Sequence, residues 1–113
     1  MHEQVYPGSN PELPRHRHEL APEVDRAFLE FSRAAFAEGV LSRRVKQLIA
    51  VAVAHMTQCP YCIRSHTHGA LCEGATEREI VEAMWIAAEM RASAAFAHTA
   101  GGMEPRVGEA RLP

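Results

Sequence analysis

Apolar residues recur at three- and four-residue steps over most of this 113-residue chain, the spacing that lines one face of an α-helix. Val24, Phe28, Phe31 and Ala35 form the first stripe, widened by Leu29 and Phe36. Pro22 suits its first helical position and Gly39 its stop. Ser42 suits the N-cap of a second stripe made of Val45, Leu48, Ile49, Ala52, Val53 and Met56. The β-branched residues in that segment lower its helix propensity, so tertiary burial must hold it. A separate ridge, Gln47, Val51 and His55, climbs in four-residue steps towards Cys59. Pro60 then opens a third helix with Cys59 at the cap, and Gly74 closes it. Thr76 and Glu79 have capping-box spacing ahead of Ile80, Met84 and Ala87 or Ala88, with Val81 and Trp85 alongside. The pattern runs on through Met90, Ala94, Ala95 and Ala97, long enough to predict a break between Arg91 and Ser93.

Proline and glycine set the outer boundaries. Pro7, Pro11 and Pro14 enclose Gly8, Ser9 and Asn10, which predicts an extended arm over residues 1–21. Gly101, Gly102, Pro105 and Gly108 predict a tail over residues 101–113. Between them lies one helical domain, residues 22–100. No strand pattern appears, so the expected class is all-α, with about five helices. Alanine and serine crowd the last segment, and the helices are apolar on several sides. A chain this short, so patterned, is expected to finish its core as a homo-oligomer.

Composition narrows the function classes. The chain is 47% hydrophobic and 23% charged, with a formal charge of −2, and carries no basic stripe for nucleic acid. Its longest apolar run, residues 48–54, is too short to span a bilayer, and the N-terminus lacks a secretory layout. A cytoplasmic location is the expectation. Three cysteines are too few for a secreted disulfide framework, and in a reducing compartment a close pair points to redox chemistry or metal binding.

That pair stands in Gln58-Cys59-Pro60-Tyr61-Cys62-Ile63-Arg64-Ser65-His66. With Pro60 at the first helical position, Cys62 falls in the first turn, among unpaired backbone N–H groups at the positive end of the helix dipole. Both favour a thiolate over the ordinary thiol, whose pKa is about 8.5. Residues i and i+3 lie about 5–6 Å apart, a separation that a disulfide accepts. His66, one turn past Cys62, can take a thiol proton and return it to a leaving group. Two other readings compete. Cys59, Cys62 and His66 could hold zinc with His55 or His68 as fourth ligand, in a zinc-stabilised interaction module. The pair could also be inert, buried as small hydrophobes. Cys72, Met84 and Trp85 read as core residues, His68 as a surface or interface residue, and His98 as a dipole-compensating or interface residue.

Lys46-Gln47-Leu48-Ile49-Ala50-Val51-Ala52-Val53-Ala54, running into Cys59-Pro60-Tyr61-Cys62 and His66, resembles the carboxymuconolactone decarboxylase / alkylhydroperoxidase D-like family. Gly74-Ala75-Thr76-Glu77 with Glu79-Ile80 and the alanine-rich last segment continues the likeness. The CxxCxxxH element is specific to the redox-active branch. The resemblance implies an alkylhydroperoxidase D-like all-α fold, assembled as trimers or hexamers. It implies a peroxidase or disulfide reductase of antioxidant defence, acting on a hydroperoxide or disulfide without a cofactor or resident metal. Cys62 would be the attacking thiol, Cys59 the resolving one and His66 the proton relay. A dithiol donor, a lipoyl group or a small redox protein, would reduce the resulting disulfide. The family's relay glutamate is replaced here by Gln47, which cannot accept a proton as a carboxylate does. His55, on the same ridge, is the candidate substitute. A lactone-decarboxylating enzyme on the same fold is the remaining alternative.

Overall fold

The computed structural model describes residues 10–111, with side chains described for residues 10–104. Five helices and no strand occur among the described residues, so the fold is all-α. The chain divides into two units at Ala37/Glu38.

The first unit holds α1 (Glu12–Leu20) and α2 (Pro22–Phe36). Ala21 joins them, with φ −148° and ψ 67°, and Pro22 takes the first position of α2. His18 Nδ1 meets Asp25 Oδ2 at 2.7 Å, and Arg17 Nε lies 3.7 Å from Asp25 Oδ1, so one carboxylate ties the hairpin together. The predicted stripe of α2 forms, yet Val24, Phe28 and Phe31 are each about two-thirds exposed and no residue of α2 is buried.

The second unit holds α3 (Arg43–Thr57), α4 (Pro60–Cys72) and α5 (Glu77–Arg111). Its helix ends follow the local chemistry read from the sequence. The Ser42 hydroxyl accepts Val45 N–H at 3.1 Å. Thr76 and Glu79 form a reciprocal capping box, at 3.0 and 3.1 Å. Gly74 is left-handed at φ +87°, and Ala75 N–H reaches back to the Ala70 carbonyl at 2.9 Å. Helix α3 packs on both α4 and α5. The core is Val51, Ala70, Ala75 and Ile80, with Leu48, Ala83 and Met84 against it. Val51 is fully buried, and burying a side chain of its size contributes about 1.5–3 kcal/mol. On α3 the buried residues are Val51 and Ala54, with Leu48 against the core, while Ile49 and Val53 of the predicted stripe stay half exposed. Among the described residues no helix is long and apolar enough to cross a membrane.

Several expectations are corrected. Part of the predicted arm is helical: α1 starts after Pro11, and just ahead of it Asn10 Oδ1 accepts Glu12 N–H at 3.0 Å. Pro7, Gly8 and Ser9 lie outside the described residues. Helix α2 ends at Phe36, with Ala37 extended, before Gly39 is reached. No break interrupts α5 at residues 91–93, a segment with neither glycine nor proline and with alanine, the best helix former, on either side of Ser93. The Ser93 hydroxyl bonds the Glu89 carboxylate one turn back instead of capping a new helix. The backbone stays helical through the predicted tail to Arg111, which leaves His98 inside α5 rather than near its end. Trp85 is 71% exposed and Cys72 is exposed, because each lies two positions from a buried alanine, Ala87 and Ala70, and so on the other face of its helix.

Candidate active site

The turn between α3 and α4 is built by three local devices. Gln58 takes a left-handed conformation, φ 56° and ψ 43°, which ends α3 and turns the chain. That region costs a non-glycine residue roughly 1 kcal/mol. Cys59 follows at φ −98° and ψ 104°, extended enough to serve as the N-cap of α4. Pro60 then fills the first helical position, where a missing N–H costs nothing.

In this geometry the Cys59 sulfur does what a serine or aspartate oxygen does at other helix starts. It accepts the Cys62 backbone N–H at 3.2 Å. The Cys62 thiol also donates to it, and these bonds hold Cys59 below the ordinary thiol range against an opposing desolvation. Cys62 is pushed the other way, first because its proton is held by Cys59, then by burial and by charge on Cys59. The spacing alone predicts that the helix-end field falls on Cys62. The cap geometry concentrates it on Cys59, because the donor of the first turn points back at the capping side chain. Both sulfurs are half-buried free thiols.

His66 and Gln47, nineteen positions apart, are brought together: His66 Nδ1 lies 2.9 Å from Gln47 Oε1. An amide oxygen accepts, so Nδ1 carries the proton and Nε2 the lone pair of the neutral ring. The contact depends on Gly69, one turn along α4. A Cβ there would stand 2.7 Å from Gln47 Oε1 and 2.8 Å from its Cδ. His55 is oriented differently. Its Nδ1 bonds the Val51 carbonyl of its own helix at 2.7 Å, and no described hydrogen bond joins it to either sulfur. Among the described residues no three His, Cys, Asp or Glu side chains come together to hold a metal ion, which leaves the zinc arrangement without a donor set. An open groove of about 480 Å³, lined by Leu48, Glu79, Glu82, Ala83, Trp85 and Ile86, contains none of the thiol-site residues.

Sequence reasoning passed over two contributors. Gly69 carried a signal, since an isolated glycine inside a helix often marks a close approach. Arg91 carried none nearby: its guanidinium reaches from α5 to the Met56 carbonyl, 35 positions away.

The model of the carboxymuconolactone decarboxylase family matches residues 22–104, starting at the first residue of α2. An uncharacterised protein 4 of the cox locus of Paracoccus denitrificans is 63% identical over 75 residues, 66% of this chain and 68% of that protein. An uncharacterised protein of Cupriavidus necator is 39% identical over 69 residues, 61% of each chain. A crystal structure from Methanobacterium thermoautotrophicum is 40% identical, with a TM-score of 0.69 over 74% of this chain and 93% of that one. The apo form of a carboxymuconolactone decarboxylase family protein from Legionella pneumophila is 35% identical, with a TM-score of 0.64 over 70% of both chains.

Proposed function

The chain belongs to the carboxymuconolactone decarboxylase family, and from that premise we propose that it is a dithiol oxidoreductase reducing a hydroperoxide or a disulfide substrate. The observation that carries this reading is the Cys59 sulfur at the cap of α4, accepting both the Cys62 N–H at 3.2 Å and the Cys62 thiol. Such a pair favours Cys59 over Cys62 as the sulfur that gives up its proton, and the thiolate is the form that attacks.

With a hydroperoxide, two electrons pass from the thiol pair to the O–O bond. His66 takes the Cys62 proton, and the Cys62 thiolate attacks the peroxide oxygen. The O–O bond breaks, the alcohol leaves with the proton from His66, and Cys62 becomes a sulfenic acid. The Cys59 thiolate then attacks that sulfur. A Cys59–Cys62 disulfide forms and water departs once its hydroxide takes up a proton. A dithiol donor, a lipoyl group or a small redox protein, returns the pair to the reduced state by two thiol–disulfide exchanges. With a disulfide substrate the Cys59 thiolate, once formed, attacks directly and Cys62 resolves the mixed disulfide. Gln47 holds the His66 ring by its Nδ1 proton but accepts none itself. That favours disulfide exchange, which needs less proton transfer, over fast peroxide turnover. The exposed apolar residues of α2, with Trp85 at 71% and Phe96 at 78% exposure on α5, support a homo-oligomer that covers them.

Thiol titration before and after addition of hydroperoxide, or of a small disulfide, tests the reading. Two of the three thiols per chain are lost. Unchanged substrate consumption by Cys62→Ser ends it. A lactone-decarboxylating activity is the second reading, favoured by the amide where a relay carboxylate is expected. It would survive a Cys59→Ser, Cys62→Ser double change, and the dithiol activity would not.

A further inference from the structure

We propose that Arg91 is a positioning residue for the dithiol, holding the end of α3 so that Cys59 stays at the cap of α4. The proposal rests on the dithiol reading above for its functional consequence, and on the backbone of the turn for its structural one.

The need for such a residue follows from the hydrogen bonds at the end of α3. The Ala54 carbonyl is over-supplied: it takes the Gln58 N–H, the Cys59 N–H at 3.2 Å and the Thr57 hydroxyl at 3.3 Å. The Met56 carbonyl stands at the opposite extreme. In a continuing helix its donor would be the N–H of residue 60, and residue 60 is proline, which has none. Because α3 ends at Thr57 and the chain turns at Gln58, Met56 keeps one of the unpaired carbonyls of a helix end, and Pro60 has no N–H to offer it. Arg91 supplies the donor, Nη2 to the Met56 oxygen. A cation at a helix C-terminus also answers the negative end of its dipole.

Only Thr57 and Gln58 separate Met56 from Cys59, and Gln58 is already in a left-handed conformation. A turn held in that region persists only when its surroundings fix it. Arg91 is the described side chain from α5 that fixes this one, and the unbroken α5 through residues 91–93 is what carries it there. Release of the Met56 carbonyl lets the turn relax. The 3.2 Å bond from Cys62 N–H to the Cys59 sulfur is then the first contact to lengthen.

The test uses Arg91→Met, which keeps the aliphatic stem, and Arg91→Lys, which keeps a cationic donor. The pH dependence of iodoacetamide alkylation at Cys59 is followed by peptide mass analysis in the full chain. Arg91→Met slows Cys59 alkylation at neutral pH by about three- to tenfold, as thiolate population falls, and Arg91→Lys recovers most of the loss. An unchanged Cys59 profile in Arg91→Met, with the usual thermal transition, overturns the proposal. So does a loss of stability that Arg91→Lys leaves unrepaired. Should Arg91→Met not fold, Arg91→Gln takes its place: a profile lying beyond that of Arg91→Lys supports the proposal, and identical profiles overturn it. Hydroperoxide and disulfide oxidation of the unmodified chain are measured beside these. Their absence removes the dithiol reading while the alkylation shift still stands, so the two failures are distinguishable.

Discussion

Helix α4 carries a cysteine at each end, in opposite surroundings. At its start, the Cys59 sulfur takes a backbone N–H at 3.2 Å and a neighbouring thiol. At its finish, the exposed Cys72 sulfur meets only a side chain among its described hydrogen bonds, His68 Nε2 at 3.5 Å. The backbone explains the contrast. A helix presents unpaired N–H groups at its first turn and unpaired carbonyls at its last, so it offers an anionic sulfur donors at one end and none at the other. A thiol–histidine spacing of four residues is common to both, Cys62 to His66 and His68 to Cys72. Spacing alone is therefore not the site. The cap is.

Serine replacements are the strongest way to break this contrast. Cys59→Ser and Cys62→Ser each abolish turnover and disulfide formation, whereas Cys72→Ser still loses two thiols per chain on oxidation. Thiol counting by mass reads all three. Next in size is His66→Asn, expected to lower peroxide turnover by roughly 10²–10⁴ if His66 moves the Cys62 proton. Steady-state rates against pH show the loss, and Gln47→Glu, which restores a proton acceptor beside the ring, raises them.

The pH dependence of the pair sharpens the comparison further. Cys59 lies below the ordinary thiol range in the folded chain, so its two hydrogen bonds favour folding most at pH above that range. That contribution disappears as pH falls through the lowered value and the sulfur is protonated. Alkylation at Cys59 should accordingly begin at lower pH than at Cys62, which is shifted upward. The reverse order, read by site-resolved alkylation, would refute the cap assignment. The smallest effect expected on stability comes from Gly69→Ala. Alanine in a helix interior is favoured over glycine by about 0.5–1 kcal/mol, and the obstructing atoms belong to the flexible end of Gln47. The melting temperature holds or rises while turnover drops, because Gln47 is driven off His66. A variant less stable but fully active would show that the pairing does not matter.

Much of the fold was readable because its signals are short-range. Ser42, Pro60, Gly74 and the Thr76–Glu79 box act within four residues of themselves, and each does in the structure what its spacing implies. The bond from Glu12 N–H to Asn10 Oδ1 at the start of α1 is equally local but lies among prolines that read as an extended arm. The predicted break in α5 failed for another reason. Length alone suggested it, while the residues from Arg91 to Ala95 contain nothing that would stop a helix.

By itself the sequence determined the helical class, the starts of α2 to α5 and the three-residue spacing of the two sulfurs, since periodicity and capping are properties of neighbouring residues. The tertiary structure decided which ridge of α3 faces inward, that Gln47 reaches His66 and that Arg91 reaches Met56. It also decided which sulfur receives the helix-start donors. Pairings across nineteen and thirty-five positions leave no local trace. They exist only once α3 has packed between α4 and α5 and brought their side chains within reach.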